Sequence, residues 1–385
     1  MLQTLARSSD QRMRQIALAR QAVLEEGQPP IGAMAETWIT RSWLRCLADG
    51  QRPDKTVTFD VIPAQALNRI EEANHTLLIA ARPALKKLGH AIANTRYFAI
   101  LTNSQGIVVD VDGHVDRTDP RANTIARVGV DLSERAVGTS AIGAALKELR
   151  PVWLHRGEHF YTGNAAYSCA GAPLFGPDGQ CVGMLDLTGI DADERPELKY
   201  LVAQSARSIE NALTLERPHN LLVRLNWPGR TLGDETDGLV CLDADGWVMG
   251  ANQTAREMVA QLSQPHASSA SSPAPLHSSE LFAMPYEMLF EAAGREAYGL
   301  PAPIDVPLRS GLRLHAISVN RGSANSGAST QGGMPGSEHR SLSDVETALI
   351  RKAVRQARGN VLQAARQLGI SRATVYRKLG NKSRH

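Results

Sequence analysis

The sequence feature that most constrains the fold is a short basic run near one end of the 385-residue chain, at residues 359–379. Asn360 can cap a helix there, and Gly369 can end it, because glycine readily takes the left-handed conformation that follows helix C-termini. A second helix then begins at Ser371. The apolar residues of the first helix lie three and four positions apart and share one face: Val361, Ala364, Ala365 and Leu368. The pattern predicts two short helices joined by a tight turn.

The second of these helices has a surface suited to DNA. Val375 and Leu379 face inward, which leaves small, hydroxyl and guanidinium side chains outward, and an arginine fork can grip guanine O6 and N7. We expect base contacts from Ser371, Arg372, Ala373, Thr374 and Arg377. The full predicted DNA-binding set adds Tyr376, Lys378, Asn360 and Gln363.

Charge supports this interpretation. Residues 341–385 contain ten Lys and Arg and two Asp and Glu, a net charge of +8, whereas the whole chain carries only +3. The positive charge is therefore concentrated in this tail, as in a nucleic-acid-binding segment. A solvated basic hairpin with no DNA function is the alternative.

The same stretch resembles the Fis-type helix-turn-helix. The matching residues are Gly359-Asn360, Ala364-Ala365, the run at 368–372, Thr374 and the run at 376–379. The resemblance implies that the preceding helix, residues 343–357, is a dimerising element. It also implies a homodimer that binds an inverted-repeat operator in double-stranded DNA.

Length and composition indicate about two or three domains with real hydrophobic cores, since 43% of the residues are hydrophobic. The four cysteines form no CxxC pair, so neither a disulfide framework nor a zinc site is indicated. We find no signal-peptide layout and no apolar run of membrane-helix length. We therefore expect a cytoplasmic protein with no membrane partner, no metal and no cofactor.

Residues 73–216 have the layout of an α+β sensor domain. A helix at 77–93 precedes a hairpin of strands at 98–102 and 107–111, and a strand is predicted at 151–155. A second hairpin, 169–175 with 181–188, and a helix at 197–216 complete the unit.

This order of elements resembles a GAF domain. The run Glu134-Arg135-Ala136-Val137-Gly138-Thr139-Ser140-Ala141-Ile142-Gly143 resembles the signature of the AcoR-like family of acetoin catabolism regulators, as do residues 42–46, 169–175 and 183–186. The resemblance implies a regulator that senses a small molecule. Residues 1–72 are expected to form a separate N-terminal helical region.

Residues 230–320 resemble a PAS domain, with a strand, an Asp-Gly turn and a second strand within residues 238–252, a helix at 253–262 and a last strand at 312–319. The Ser/Pro/Ala-rich stretch at 263–279 interrupts it, so the domain is expected to be small or degenerate. Residues 321–340 are a predicted flexible linker, and 341–385 the DNA-binding domain. The predicted fold class is thus a multidomain α+β chain with an all-α Fis-type helix-turn-helix.

Most AcoR-like activators place an ATPase module between the sensor and the DNA-binding domain. The printed sequence has no G-x-x-x-x-G-K-[ST] phosphate loop, and the linker leaves no room for such a module. We therefore expect recruitment of ordinary RNA polymerase, or repression, rather than ATP-driven promoter opening.

The candidate effector site combines a small-residue turn with aromatic side chains. Backbone N–H groups at Gly138, Thr139 and Ser140 can face an anion or carboxylate at a helix start, with tight loop packing as the alternative. A pocket for a small, aromatic or carbonyl effector can include Trp153, Tyr161, Tyr167 and Cys169, which plain core packing explains equally well.

An enzyme is the alternative function. Cys169 and Cys181 lie near His155, His159 and Asp186 in the sequence, which suggests a thiol-dependent reductase similar to methionine sulfoxide reductases, or a redox or metal sensor with a basic tail. No pair of these residues has metal-ligand spacing, and no motif supplies a base with an orienting partner. We therefore favour buried structural cysteines and predict that the chain is not an enzyme.

Overall fold

The computed structural model describes residues 2–27, 35–263, 275–293, 296–297 and 300–320 of the chain. The predicted linker at 321–340 and the predicted DNA-binding domain at 341–385 lie outside these residues. The described part is a mixed α/β structure with two five-stranded antiparallel sheets.

The first sheet is built from residues 97–190. Its strands are β1 (Tyr97–Asn103), β2 (Val108–Asp112), β3 (Val152–His155), β4 (Tyr167–Phe175) and β5 (Cys181–Ile190). Their order in the sheet is β2-β1-β5-β4-β3, and every neighbouring pair is antiparallel. Both predicted hairpins and the predicted third strand are confirmed.

Helices surround this sheet. Those that precede it are α1 (Leu2–Arg20), which continues into one wide turn at Gln21–Glu25, α2 (Thr37–Ala48), α3 (Ala64–Ala73) and α4 (His75–Ala91). Three short helices between β2 and β3 are α5 (Pro120–Ile125), α6 (Glu134–Val137) and α7 (Ala141–Glu148), and α8 (Leu198–Glu216) follows β5.

The two faces of the sheet support two separate cores. In β5, Leu185 and Leu187 pack with apolar residues of α4 and α8, whereas Met184 and Ile190 pack in the cluster on the opposite face. This alternation follows from the two-residue period of a strand. The cluster that contains Met184 and Ile190 also includes apolar residues of α1, α2 and α5–α7.

The first two helices are part of this domain and do not form a separate region, contrary to the boundary expected at residue 72. Ile16 of α1 and Trp38 and Trp43 of α2 are buried in the same cluster as the sheet. Large apolar side chains on both helices have no other core to enter, which is the physical reason for this arrangement.

The second sheet is built from residues 221–320. Its strands are β6 (Leu221–Asn226), β7 (Gly238–Leu242), β8 (Val248–Ala251), β11 (Ile304–Pro307) and β12 (Arg313–Asn320), in the order β11-β12-β6-β7-β8. A short two-stranded pair, β9 (Glu296–Ala297) with β10 (Leu300–Pro301), precedes β11, and helices α9 (Gln253–Met258), α10 (Ser278–Leu281) and α11 (Glu287–Ala293) lie between β8 and β9.

Strand β6 corrects the domain boundary expected at residue 230, because it pairs with both β12 and β7 at the centre of the second sheet. The run Leu221-Leu222-Val223 is buried at every position, so it lacks the alternation that marks a half-exposed strand. The two strands expected within residues 238–252 and the last strand expected at 312–319 are confirmed.

The two sheets are joined through α8 and the β4–β5 turn. Thr214 of α8 accepts a hydrogen bond through its carbonyl oxygen from the Cys241 thiol of β7, at 3.4 Å. Asn252, which caps α9, donates through its side-chain amide to Asn211 Oδ1 of α8 at 2.6 Å. The carbonyl oxygen of Pro177, in the β4–β5 turn, accepts from the backbone N–H of Ala251 at 2.8 Å.

Candidate effector cavity

A small cavity lies in the core between the first sheet and helices α5–α7. Its free volume is about 20 Å³, which is room for about one water molecule. Its apolar wall consists of Phe59, Ile125, Leu132, Val137 and Ile142. Strands β4 and β5 contribute Tyr167, Cys169, Asp186 and Thr188. Ser140, just before α7, and His159 and Asn164, between β3 and β4, complete the lining.

The start of α7 forms one edge of the cavity because two glycines allow a close approach. Gly138 has φ +66°, and a Cβ there would lie 2.9 Å from the Tyr161 ring. A Cβ at Gly171 of β4 would lie 3.1 Å from the Ala141 carbonyl oxygen. Ser140 caps the helix by accepting from the Gly143 N–H at 3.1 Å. The N-terminal end of α7 therefore lies directly against the sheet beside the cavity.

Asp186 is a fully buried carboxyl group in the cavity wall. Its Oδ2 accepts a hydrogen bond from the Thr188 hydroxyl, and its Oδ1 has no hydrogen-bond partner among the described residues. Burial raises the pKa of Asp186 to about 7, because desolvation disfavours the charged form. The group is therefore present in both protonation states near neutral pH.

His159 is the second buried polar group of the cavity wall. Its Nδ1 lies 3.0 Å from the Arg156 carbonyl oxygen, and within the described part of the chain its Nε2 has no partner. Burial lowers the pKa of His159 to about 4, so the imidazole is neutral at pH 7.

The segment that carries His159 is held by α1. Arg20 donates to the carbonyl oxygens of Gly157 at 3.0 Å and Phe160 at 2.9 Å, and also to that of His159. Arg12 makes a bidentate ion pair with the buried Glu158, at 2.6 and 2.9 Å. The N-terminal helix thus fixes one wall of the cavity.

Two sequence motifs noted above meet in a buried polar network next to the cavity. Glu134 accepts from the Ser42 hydroxyl at 2.6 Å and from Arg45 at 2.7 and 2.9 Å. The Thr139 hydroxyl lies 2.7 Å from Ser42 Oγ. The network joins α2 to the 134–143 segment, so these residues have a structural role that the sequence did not reveal.

The structure brings together only part of the predicted effector set. Ser140, Tyr167 and Cys169 line the cavity. Gly138 lies behind it against Tyr161, and Thr139 is in the Ser42 network. The Tyr161 hydroxyl donates to Gln51 at 3.3 Å, away from the cavity. Trp153 packs on the opposite face of the sheet, with Leu185 and Leu187.

His159 and Asp186 were predicted only as neighbours of the cysteines in the sequence, and not as effector contacts. Asn164, Phe59 and Thr188 were not predicted at all. Their convergence depends on strand register and on the path of the 156–166 segment, for which the sequence carries no local signal.

The cysteines are poorly placed for thiol chemistry. Cys169 pairs with Thr188, and Cys181 with Phe175, so the two lie at opposite ends of the β4–β5 hairpin, about 20 Å apart at the usual rise per residue. Burial raises the pKa of both thiols, which disfavours the reactive thiolate. Among the described residues no group of His, Cys, Asp and Glu is arranged to hold a metal ion.

The predicted DNA-contacting residues lie outside the described part of the chain. They are Asn360, Gln363, Ser371, Arg372, Ala373, Thr374, Tyr376, Arg377 and Lys378. No helix in the described ranges is long and apolar enough to cross a membrane.

Comparison with known proteins identifies the family. The sequence model described as "MimR, N-terminal domain" matches residues 14–211, which is just over half of the chain. The chain belongs to this family. The match covers the end of α1, all of α2 and the whole first sheet. A second model, "Bacterial regulatory protein, Fis family", matches residues 341–381, which confirms the predicted Fis-type helix-turn-helix.

Three of the similar curated proteins are named as regulators. The acetoin catabolism regulatory protein of Cupriavidus necator is 28% identical over 57% of this chain and 34% of its own length. The AcoR activator of the Bacillus subtilis acetoin dehydrogenase operon is 28% identical over 53% of this chain and 34% of its own. The MimR activator of the Mycolicibacterium smegmatis propane 2-monooxygenase operon is 29% identical over 51% and 32%.

These matches confirm the resemblance to AcoR-like regulators. All three are named as regulators or activators of an operon or a catabolic pathway. The matched region spans about a third of the length of these relatives.

Two solved structures are similar at low identity. The Escherichia coli DhaR(N)–DhaL complex gives a TM-score of 0.44 at 14% identity, over 73% of this chain and 99% of that one. The cofactor-binding GAF domain of Clostridium difficile CodY gives a TM-score of 0.23 at 16% identity, over 39% and 97%.

Proposed function

We propose that the chain is an effector-responsive transcriptional regulator that binds operator DNA through its C-terminal helix-turn-helix. The observation that carries the proposal is the Fis-family match at 341–381, which falls on the segment with a net charge of +8. The rest of the chain is net acidic. A basic surface confined to one segment is what binding to phosphates requires.

In this proposal the first sheet, with the helices that pack on it including α1 and α2, forms a GAF-type sensor, and the cavity of the first sheet is its effector site. Two buried polar atoms that find no hydrogen-bond partner in the described part of the chain, Asp186 Oδ1 and His159 Nε2, support a ligand there. Buried polar groups are almost always hydrogen-bonded, so unpaired ones mark a place where a bound molecule gains most. The second sheet, which begins at β6, would be a PAS-like domain that relays the signal through α8 and the β4–β5 turn.

The predicted recognition helix would supply the base contacts. Arg372 and Arg377 would contact bases, with Ser371, Ala373 and Thr374 beside them. The protein would act in the cytoplasm as a homodimer on an inverted-repeat operator. With no phosphate loop in the printed sequence, it would recruit or block RNA polymerase without ATP-driven promoter opening.

Footprinting on the upstream region of its own operon tests the proposal. The wild-type chain should protect an inverted repeat, and Arg372→Ala with Arg377→Ala should abolish that protection. A matched control removes two positive charges elsewhere, with Arg321→Ala and Arg340→Ala, and should retain site preference. If the recognition-helix double variant protects the same site as the wild type, the assignment of the DNA-binding helix is wrong.

A further inference from the structure

We propose that a second copy of the chain docks on a large groove at one end of the first sheet, and that this groove is an interface of the homodimer. The groove lies between α3, the start of α4, the two hairpin turns of the first sheet and the end of α8, and its free volume is about 740 Å³. We call it the α3 groove. The inference rests on the proposed function, which includes a homodimer but does not say which surface joins the two copies.

The floor of the α3 groove is apolar. Leu77 of α4 and Leu213 of α8 are buried beneath it. Val182 of β5 and Ile70 of α3 are half-buried, and Ala73 is exposed at the edge. A single exposed apolar side chain is ordinary on a protein surface, whereas a contiguous apolar floor in a large groove is typical of an interaction site.

Helix α3 itself lacks a complete packing surface. Ala66, Ile70 and Ala73 lie three and four positions apart and share one side of the helix. A helix of ten residues depends on tertiary packing of its apolar side for stability, yet α3 has no buried residue. The apolar side of α3 that faces the groove is therefore available to a partner.

The charges on α3 suit a second copy of the same helix. Arg69 is exposed just before Ile70, and Glu71 and Glu72 are exposed just after it. Where a two-fold axis crosses a helix at right angles, its two copies run antiparallel, and residues before the axis face residues after it. With the axis at Ile70, Arg69 of each copy lies opposite an acidic residue of the other. A uniformly acidic or uniformly basic partner would meet like charge on one side of Ile70.

The path of the chain also favours a second copy. Asn320, the last described residue, pairs with Leu221 of β6. Pro218, which lines the groove, lies only three positions before Leu221, so residues 321–385 begin close to the groove. The Fis-family match falls within these residues. Two copies joined at the groove start these segments close together, as a dimer that reads two half-sites about 34 Å apart requires.

Cys181 reports whether the α3 groove is covered. It is half-buried in the groove lining, whereas Cys46, Cys169 and Cys241 are buried elsewhere. Alkylation of the full-length chain with iodoacetamide, followed by mass spectrometry of its peptides, measures the rate at Cys181. Sedimentation velocity at the same protein concentrations measures the oligomeric state. We expect the rate at Cys181 to be at least about tenfold lower in the dimer than in the monomer, because the reagent reaches only the uncovered fraction.

Two variants test the contact. Ala73→Arg puts a bulky charged side chain at the edge of the apolar floor. At concentrations at which the wild type is a dimer, this variant should alkylate at Cys181 at least about tenfold faster than the wild type, because the interface is weakened. Ala48→Arg is the matched control, since Ala48 is the exposed last residue of α2 as Ala73 is of α3. It should behave as the wild type, and the Tm of each variant shows that it folds.

Several results would overturn the inference: a wild-type chain that is monomeric at every concentration, a dimer in which Cys181 reacts as fast as in the monomer, protection of Cys181 in a monomer, or equal rates at Cys181 in folded Ala73→Arg and Ala48→Arg. The operator footprint of the wild-type chain is measured in parallel. A retained footprint with any of these results removes this interface and leaves DNA binding intact. A lost footprint removes the regulator assignment.

Discussion

Pro177 and Arg256 connect the two sheets: the Pro177 carbonyl oxygen, in the β4–β5 turn, accepts a hydrogen bond from Arg256 Nη2 of α9 at 2.7 Å. Arg256 also donates to the Leu262 carbonyl oxygen. The same β5 strand that leaves this turn carries Asp186 and Thr188 at the cavity. The contact therefore links the turn that precedes this part of β5 to the second sheet.

Replacing the guanidinium tests the strength of this junction. Arg256→Met keeps much of the side-chain length but removes the donors to two carbonyl oxygens. Because two part-buried carbonyl oxygens each lose a charged donor, we expect the free energy of unfolding to fall by about 1–3 kcal/mol. Urea denaturation followed by circular dichroism measures the change.

The control for this variant is Arg309→Met, which removes an exposed arginine with one hydrogen bond, to the Ser279 carbonyl oxygen at 2.9 Å. It should change the free energy of unfolding by less than about 0.5 kcal/mol. Equal effects of the two substitutions would show that Arg256 does not hold the sheets together.

Asp186 gives a pH-dependent prediction. Its pKa is about 7 in the folded chain and near 3.8 when unfolded. A group whose pKa is raised by folding stabilises the fold fully below its unfolded pKa, and this contribution is lost as pH rises through the folded pKa. We therefore expect Asp186→Asn, which stays neutral, to be more stable than the wild type above pH 7, by roughly 2–4 kcal/mol.

The difference between Asp186→Asn and the wild type should shrink as the pH is lowered and vanish near pH 4. Thermal denaturation at pH values from 4 to 8 measures it. Asp54→Asn, at an exposed position, should follow the wild-type curve throughout. A constant difference across this range would contradict the raised pKa.

The sequence predicts the hairpins of the first sheet because their turns are local. Asn103-Ser104-Gln105-Gly106 and Gly176-Pro177-Asp178-Gly179 join apolar runs of matching length, and both form antiparallel pairs. Strand β6 could not be predicted in this way. It pairs with β12, almost a hundred residues later, and its buried run gives no periodic signal.

The sequence also does not predict which side chains line the cavity. Alternation along β3 indicates that Trp153 and Leu154 face opposite sides, but not which side holds a cavity. Thr139 is adjacent to Ser140 in sequence, yet its hydroxyl lies 2.7 Å from Ser42 Oγ, which in turn donates to the buried Glu134. Register and burial, which are properties of the whole fold, decide which polar residues converge.

The Arg45–Glu134 pair gives a prediction about stability. Arg45 donates to Glu134 at 2.7 and 2.9 Å, and the Glu134 side chain is only 10% exposed. Removing the cation with Arg45→Met leaves a buried carboxylate without its ion-pair partner, so we expect a loss of about 1–3 kcal/mol in the free energy of unfolding. Urea denaturation measures this loss.

A double-mutant cycle shows whether charge causes the effect. Glu134→Gln combined with Arg45→Met should be more stable than Arg45→Met alone, because the amide carries no charge to bury. Arg41→Met serves as the control, since the Arg41 side chain is 56% exposed, and exposed ion pairs contribute little. A double variant no more stable than Arg45→Met would rule out the buried charge as the cause.

The last prediction concerns the hydrogen bonds between Arg20 of α1 and the segment at 157–160 in the cavity wall. Arg20→Met removes the donors to the carbonyl oxygens of Gly157, His159 and Phe160, while the remaining side chain still covers the Trp43 ring. We expect faster hydrogen exchange of the amides at 157–160, because this segment loses its hydrogen bonds to α1. Arg14→Met, on the exposed side of α1, should leave the exchange rates unchanged. Equal exchange rates in Arg20→Met and the wild type would show that the contacts of Arg20 do not stabilise the segment.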